Sequence, residues 1–107
     1  MKITVKNIKT GYGKAKGLSV EWNNGQYCAI ITPKGQIGCG IYDIRVMKGF
    51  GMVGAIARGI PKKPLKRPED LLKSKIIGLT PSASRLGIRK GMTGMQALKI
   101  LLKTKNL

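Results

Sequence analysis

Along the first third of the chain, short apolar runs and alternating apolar and polar positions are cut by glycine turns, a pattern of strands. Residues Ile3 to Ile8 read as a first strand. Gly11-Tyr12-Gly13 turns the chain into a second, Lys16 to Trp22, in which Leu18, Val20 and Trp22 alternate with Ser19 and Glu21. Asn23-Asn24-Gly25-Gln26 carries Asn-Gly, a strong hairpin signal, and Tyr27 to Thr32 returns as a third strand. Thr32-Pro33-Lys34-Gly35 then turns into a fourth, Gln36 to Gly40.

The second turn sets an expected register. Pro33 is locked at negative φ and cannot enter a two-residue type I′ or II′ loop, whereas Pro followed by Gly two residues on suits a type I turn with Gly35 in the left-handed region as a bulge. Ala29 then faces Cys39 and Ile31 faces Ile37, while the Asn-Gly hairpin pairs Trp22 with Tyr27 and Val20 with Ala29. One face collects Leu18, Val20, Trp22, Tyr27, Ala29, Ile31, Ile37 and Cys39, which makes it the expected core. The other collects Ser19, Glu21, Cys28, Ile30, Gly38 and Gly40. In this register Cys28 and Cys39 point to opposite faces and form no disulfide.

Beyond Gly40 the spacing changes. Asp43 opens a short helix that Gly49 ends, and Met52 to Arg58 is apolar and strand-like. Pro61 to Pro68 reads as an extended, solvated loop. Pro68-Glu69-Asp70 opens a second helix, with two acids on the positive end of its dipole. Lys75 to Leu79 is another strand, Thr80-Pro81-Ser82-Ala83 starts a helical turn that stops at Gly87, and Thr93 caps a final helix, Gly94 to Lys103. In that helix Met95, Leu98 and Leu102 line one side. The expected class is α+β: an antiparallel β meander followed by alternating short helices and strands, a single layer of sheet packed by helices. Residues 1–107 form one domain.

Composition changes this picture in one respect. The hydrophobic fraction of 42% suffices for a core, but 21 Lys and Arg stand against four acids, with no histidine and a formal charge of +17. Such an excess attracts polyanions. No apolar run approaches the roughly 20 residues that span a bilayer, so no membrane is expected. The N-terminus does not read as a signal peptide, and two cysteines without one read as reduced thiols in a cytoplasmic protein.

The succession Gly38-Cys39-Gly40-Ile41-Tyr42-Asp43-Ile44, Ala57-Arg58-Gly59-Ile60, Glu69-Asp70-Leu71-Leu72, Gly87-Ile88, Gly91-Met92-Thr93-Gly94 and Ala97-Leu98 resembles the YunC-like family of small bacterial and archaeal proteins of unknown function. The resemblance runs from about Gly11 to Leu102. It implies a compact α+β fold, a cytoplasmic location and no established reaction. The chain departs from the family in a longer basic loop at Pro61 to Pro68 and in fewer acids.

Three groups of residues are candidate sites. Cys39, Gly40, Tyr42 and Asp43 place a thiol, a flexible backbone and a carboxylate at a strand-to-helix transition, where ligands often sit. The competing reading is a core thiol and a helix N-cap. Arg89, Lys90, Gly91 and Thr93 combine cations with a helix start and form a candidate anion perch, against ordinary capping by Thr93. Lys62, Lys63, Lys66 and Arg67 are concentrated in one loop and make the best polyanion contact. Gly49-Phe50-Gly51-Met52-Val53-Gly54 matches G-x-G-x-x-G, but the predicted order around it is helix then strand, the reverse of a dinucleotide fold. Gly11 to Gly17 lacks the spacing of a P-loop and reads as a turn. Without histidine or C-x-x-C a zinc site cannot be assembled in the usual way, and neither metal nor cofactor is expected.

The function is unknown from sequence. The leading expectation is a small accessory protein that binds an anionic ligand near Gly38 to Asp43. The alternative is sequence-independent nucleic-acid binding, and a weaker third is an enzyme using Asp43 as acid or base. The meander leaves a sheet edge that symmetric pairing into a homo-oligomer would cover.

Overall fold

The computed structural model describes residues 1–59 and 65–103, including a six-stranded sheet whose spatial order follows the chain. β1 (Lys2–Lys9), β2 (Lys14–Trp22), β3 (Gly25–Ile31) and β4 (Gln36–Cys39) form the expected antiparallel meander. The helix α1 (Ile44–Gly49) carries the chain across to β5 (Gly54–Ala57), which lies parallel to β4. Then follow α2 (Pro68–Lys73), β6 (Ile76–Leu79) antiparallel to β5, α3 (Pro81–Leu86) and α4 (Gly94–Lys103). The class is α+β, and the expected strands and helices are present within a few residues of their expected bounds, whereas most of the loop expected at Pro61 to Pro68 lies outside the described residues.

Local chemistry explains the helix ends. The Asp43 carboxylate accepts the Arg45 amide at 2.8 Å and starts α1. Asp70 accepts the amides of Lys66 and Arg67 at the start of α2. Thr80 Oγ1 accepts the Ala83 amide at the start of α3, and Gly87 ends that helix at φ 110°. Thr93 and Gln96 form a reciprocal capping box on α4: Thr93 Oγ1 accepts the Gln96 amide and Gln96 Oε1 accepts the Thr93 amide. The buried side of α4 is Gly94, Ala97, Leu98 and Leu101, with Met95 and Leu102 at its margins.

The two turns of the meander differ from expectation, and the consequences are large. Neither asparagine of the first turn has positive φ, and Gly25 already belongs to β3, opposite Trp22. Val20 therefore faces Tyr27 and Leu18 faces Ala29, a two-residue displacement that leaves the faces unchanged. Gly25 is needed for close approach: a Cβ there would lie 2.6 Å from the Trp22 ring. At the second turn Gly35 is not left-handed and no bulge forms. The Thr32 hydroxyl organises the turn, accepting the amides of Lys34 and Gly35 at 3.2 and 3.0 Å. Ile30 consequently faces Ile37 and Ala29 faces Gly38, a one-residue slip from the expected pairing. A slip of one turns a strand over. Ile37 and Cys39 thus join Cys28 and Ile30 on one face, and the expectation that the cysteines are on opposite faces is overturned.

The core lies on that face. Ile8, Ala15, Cys28, Ile30, Ile37, Cys39, Ala55 and Ala57 pack there with Leu71 of α2 and with Ala97, Leu98 and Leu101 of α4. Gly17 admits Pro68 of α2, since a Cβ at Gly17 would lie 2.8 Å from Pro68 Cβ. On the opposite face α1 covers the far half of the sheet, with Met47 against Gly54 and Ile44 close to Gly78. Tyr42 lies over Gly38. The near half, β1 to β3, is left open, with Ile3 and Val5 each 62% exposed and Trp22 and Ile31 also exposed. The face expected to be the core is therefore largely open along β1 to β3, although Val20 and Ala29 on it are buried.

Candidate functional site

Two constellations stand out: a pair of thiols inside the sheet and a cationic cleft at its edge. The β3–β4 register, continued one residue past Ala29–Gly38, sets Cys28 opposite Cys39. Both are free thiols; Cys28 is fully buried and Cys39 is 7% exposed. The chief influence on the Cys39 thiol is the Cys28 thiol facing it, followed by nearby backbone amides, including that of Ile41. Together they hold the Cys39 thiol well below the ordinary thiol range in spite of its burial. The neighbouring Cys39 thiol, together with burial, pushes Cys28 up. The Cys28 S–H donates to the Leu65 carbonyl at 3.9 Å.

The turn after Cys39 is tight, with the Tyr42 amide donating to the Cys39 carbonyl at 3.2 Å. Gly40 is exposed. Burial, and after it the Cys39 sulfur, pushes the Tyr42 phenol up to about 12. Tyr42 meets Tyr27 edge to face at 6.0 Å, and Tyr27 meets Trp22 at the same separation, so three rings cross the sheet in a row. Asp43 is exposed; its carboxylate is occupied by the Arg45 amide and lies 3.8 Å from the Arg45 guanidinium. Of the four residues singled out here, Cys39 has the most unusual surroundings, and its partner, Cys28, escaped the sequence reading because the register was off by one.

The cleft lies between the β1–β2 hairpin and the Thr32–Pro33 turn and has a volume of about 890 Å³, within the range of small-molecule sites. Lys9, Lys14 and Lys16 line it together with Ile8, Ala15, Ile31 and Pro33. The register pairs Lys9 with Lys14 and Asn7 with Lys16, which places the three lysines on one face. Lys16 donates to the Asn7 side chain at 2.6 Å. Three carboxylates make ion pairs among the described residues, Glu69 with Lys6, Asp43 with Arg45 and Asp70 with Arg67, and none involves a cleft lysine. The signal available in the sequence for the three cleft lysines was their strand spacing around Gly11-Tyr12-Gly13. Tyr12 of that turn lies beneath the ammonium groups of Lys99 and Lys103, at 5.2 and 5.1 Å, and ties the hairpin to α4.

The remaining candidates are placed as follows. Arg89 donates to the carbonyls of Ser84 and Ile88 at 2.7 and 2.9 Å, clamping the end of α3, and with Lys90 lines a second cleft of about 500 Å³. Gly91 turns the chain at φ 91° and Thr93 caps α4. Lys66 and Arg67 are exposed, with the Arg67 guanidinium 3.7 Å from Asp70. Lys62 and Lys63 lie outside the described residues. Gly49 to Gly54 runs from helix end to strand, and Gly11 to Gly17 is a turn entering β2. Among the described residues no group of three or more Cys, Asp or Glu gathers as a metal site, and no helix is long and apolar enough to cross a membrane.

A family model described as a domain of unknown function, DUF1805, matches residues 38–101. The matched stretch includes the thiol at Cys39 and omits Cys28 and the three cleft lysines. No curated protein matches the chain. A crystal structure of a protein of unknown function, TA1206 from Thermoplasma acidophilum, is similar over 94% of this chain and 93% of its own, with a TM-score of 0.81 and 20% identity. That likeness establishes the fold.

Proposed function

The chain belongs to the DUF1805 family, a domain of unknown function, and we propose that it is a small accessory protein that binds an amphipathic anion in the cleft between the β1–β2 hairpin and the Thr32–Pro33 turn. The observation that carries this reading is the lining: Lys9, Lys14 and Lys16 stand over apolar walls with no ion pair to a carboxylate among the described residues. Three like charges in one cleft repel one another, and a bound carboxylate or phosphate relieves that repulsion. Ile31, which shares the lysines' face of the sheet, and Pro33 offer contact to an apolar body. Within the family we place the chain among the YunC-like proteins, on the motifs at Gly38 to Asp43 and Gly91 to Gly94. Two free cysteines fit a reducing compartment, and we place the protein in the cytoplasm.

A thermal-shift screen with octanoate, phenyl phosphate, nucleotides and inorganic phosphate tests the reading. Stabilisation is expected from anions with an apolar body, weaker at high salt, and absent in a Lys9→Gln, Lys14→Gln, Lys16→Gln variant. Indifference of the wild type to every anion, or equal stabilisation of the triple variant, would overturn it. An anion effect abolished by Asp43→Ala and retained in the triple variant would move the site to the Gly38 to Asp43 turn.

A second reading is favoured by the charge of +17 and by Trp22 exposed on the same open sheet: sequence-independent binding of single-stranded nucleic acid, with lysines on phosphates and the ring against a base. Fluorescence anisotropy at two salt concentrations decides. A steep salt slope, reduced by the triple lysine variant and by Trp22→Ala, is expected; no binding at low salt removes the reading. The open face also suits a second copy of the chain, because Ile3 and Val5 lie on an edge strand beside Leu18 and Val20.

A further inference from the structure

We propose that Cys28 and Cys39 form a redox-active dithiol in which a hydroperoxide oxidises Cys39 and Cys28 closes an intramolecular disulfide. The inference stands apart from the anion-binding reading and involves different residues. Its basis is placement. Directly facing residues on antiparallel strands have Cα atoms about 4.5–5.5 Å apart, inside the window of about 4.4–6.8 Å that a disulfide requires. The register sets Cys28 and Cys39 in that relation, so the bond can close without moving either strand. Two apolar core residues would serve equally well for packing alone, but here two free thiols face each other on neighbouring strands.

The two sulfurs are not equivalent. Cys28 is fully buried, between the sheet and the chain entering α2 at Leu65. Cys39 ends its strand beside the exposed Gly40 and Ile41 and retains slight exposure. A reagent as small as hydrogen peroxide therefore reaches Cys39 first. The Cys28 thiol, and after it the backbone amides around Cys39, including that of Ile41, favour the Cys39 thiolate.

The chemistry balances with the hydroperoxide as the only co-reactant. The Cys39 thiolate attacks one peroxide oxygen, the O–O bond breaks, and the sulfur is oxidised to the sulfenic acid. The departing hydroxide or alkoxide takes up the proton lost from the thiol and leaves as water or alcohol. Cys28 then gives up its proton and attacks the Cys39 sulfur; the S–S bond forms, the S–O bond breaks and water departs. In sum, two thiols and one hydroperoxide become one disulfide, one water and one alcohol, or two waters from hydrogen peroxide.

The test treats the native full-length chain with hydrogen peroxide, quenches with a thiol alkylator, and reads intact mass and a non-reducing peptide map. The expected wild-type product has lost two hydrogens, carries no added oxygen and contains one linked peptide pair spanning Cys28 and Cys39. Cys28→Ala should stop at a Cys39 sulfenic acid that dimedone captures. Cys39→Ala should slow the oxidation of Cys28 by about tenfold or more. Wild-type protein that gains oxygen without a link, links between two chains, or keeps both thiols free until unfolded would overturn the proposal. The wild-type map alone decides it should a variant fail to fold.

Discussion

Across β1 to β3 the sheet has two faces with opposite fates. One carries Ile8, Ala15, Gly17, Ser19, Cys28 and Ile30 and lies under α2 and α4. The other carries Ile3, Val5, Leu18, Val20, Trp22, Tyr27, Ala29 and Ile31; Val20 and Ala29 are buried, but Ile3, Val5, Trp22 and Ile31 are exposed, and α1 covers the β4 to β6 half. By residue type the open face is the more apolar, yet it is not the core. The difference teaches that size can outweigh hydrophobicity in selecting a docking face. Small residues let a helix approach the sheet closely, and Pro68 packs directly on Gly17. Trp22 and Tyr27 hold a helix away and pack on each other instead.

The sharpest way to break this comparison is to truncate one residue on each face. Ile30 is fully buried on the covered face, and Ile30→Ala should cost about 2–5 kcal/mol in urea unfolding. Val5→Ala on the open face of the monomer should stay within about 0.5 kcal/mol. Equal losses at the two positions would mean that something covers the open face in solution. The next effect is at the docking point itself. Gly17→Ala places a methyl 2.8 Å from Pro68 and Ile8, so a loss of about 1–3 kcal/mol is expected, and an unchanged midpoint would show that α2 yields without cost.

A smaller effect concerns the tie between β1 and α2. The Lys6 ammonium holds the Glu69 carboxyl below its usual range. Because the folded value is lowered, the stabilisation is complete above the ordinary carboxylate value of about 4 and is lost as pH falls towards the lowered folded value. Both side chains are partly exposed, so Lys6→Ala should cost only about 0.5 kcal/mol at neutral pH and should flatten the acid limb of the stability profile. Identical profiles for variant and wild type would show the pair to be energetically silent. At Asp70, burial opposes ionisation, but the Arg67 and Lys66 amides outweigh it and keep the carboxyl low, which gives the same sign. The smallest effect on folding is expected from Val5→Lys, which should leave the unfolding midpoint unchanged while abolishing self-association in sedimentation. An assembly that survives this change does not use the open face.

Helix ends were legible in the sequence because capping needs only neighbours. Asp43, Thr80 with Gly87, and Thr93 all act within their own turn, and each does what its residue type and spacing indicate. The turn at Thr32 to Gly35 was not legible. Its proline and glycine fit a bulged type I turn, but Gly35 is small for another reason: a Cβ there would lie 2.5 Å from the carbonyl oxygen of Val53, the residue just before β5. A residue read as a backbone signal was a tertiary contact. That single misreading turned β4 over and separated two cysteines that the fold sets face to face. The cleft was hidden for a related reason: Lys9, Lys14 and Lys16 are ordinary surface residues until the hairpin aligns them and the Thr32–Pro33 turn supplies a wall.

By itself the sequence determined the class, the order of elements, the caps and the excess of positive charge, since these depend on composition and on spacings of a few residues. Tertiary structure decided which face became the core, which lysines share a cleft, and that Cys28 meets Cys39. Those outcomes depend on how closely distant segments approach, and strand parity converts one residue of register into the whole identity of a face.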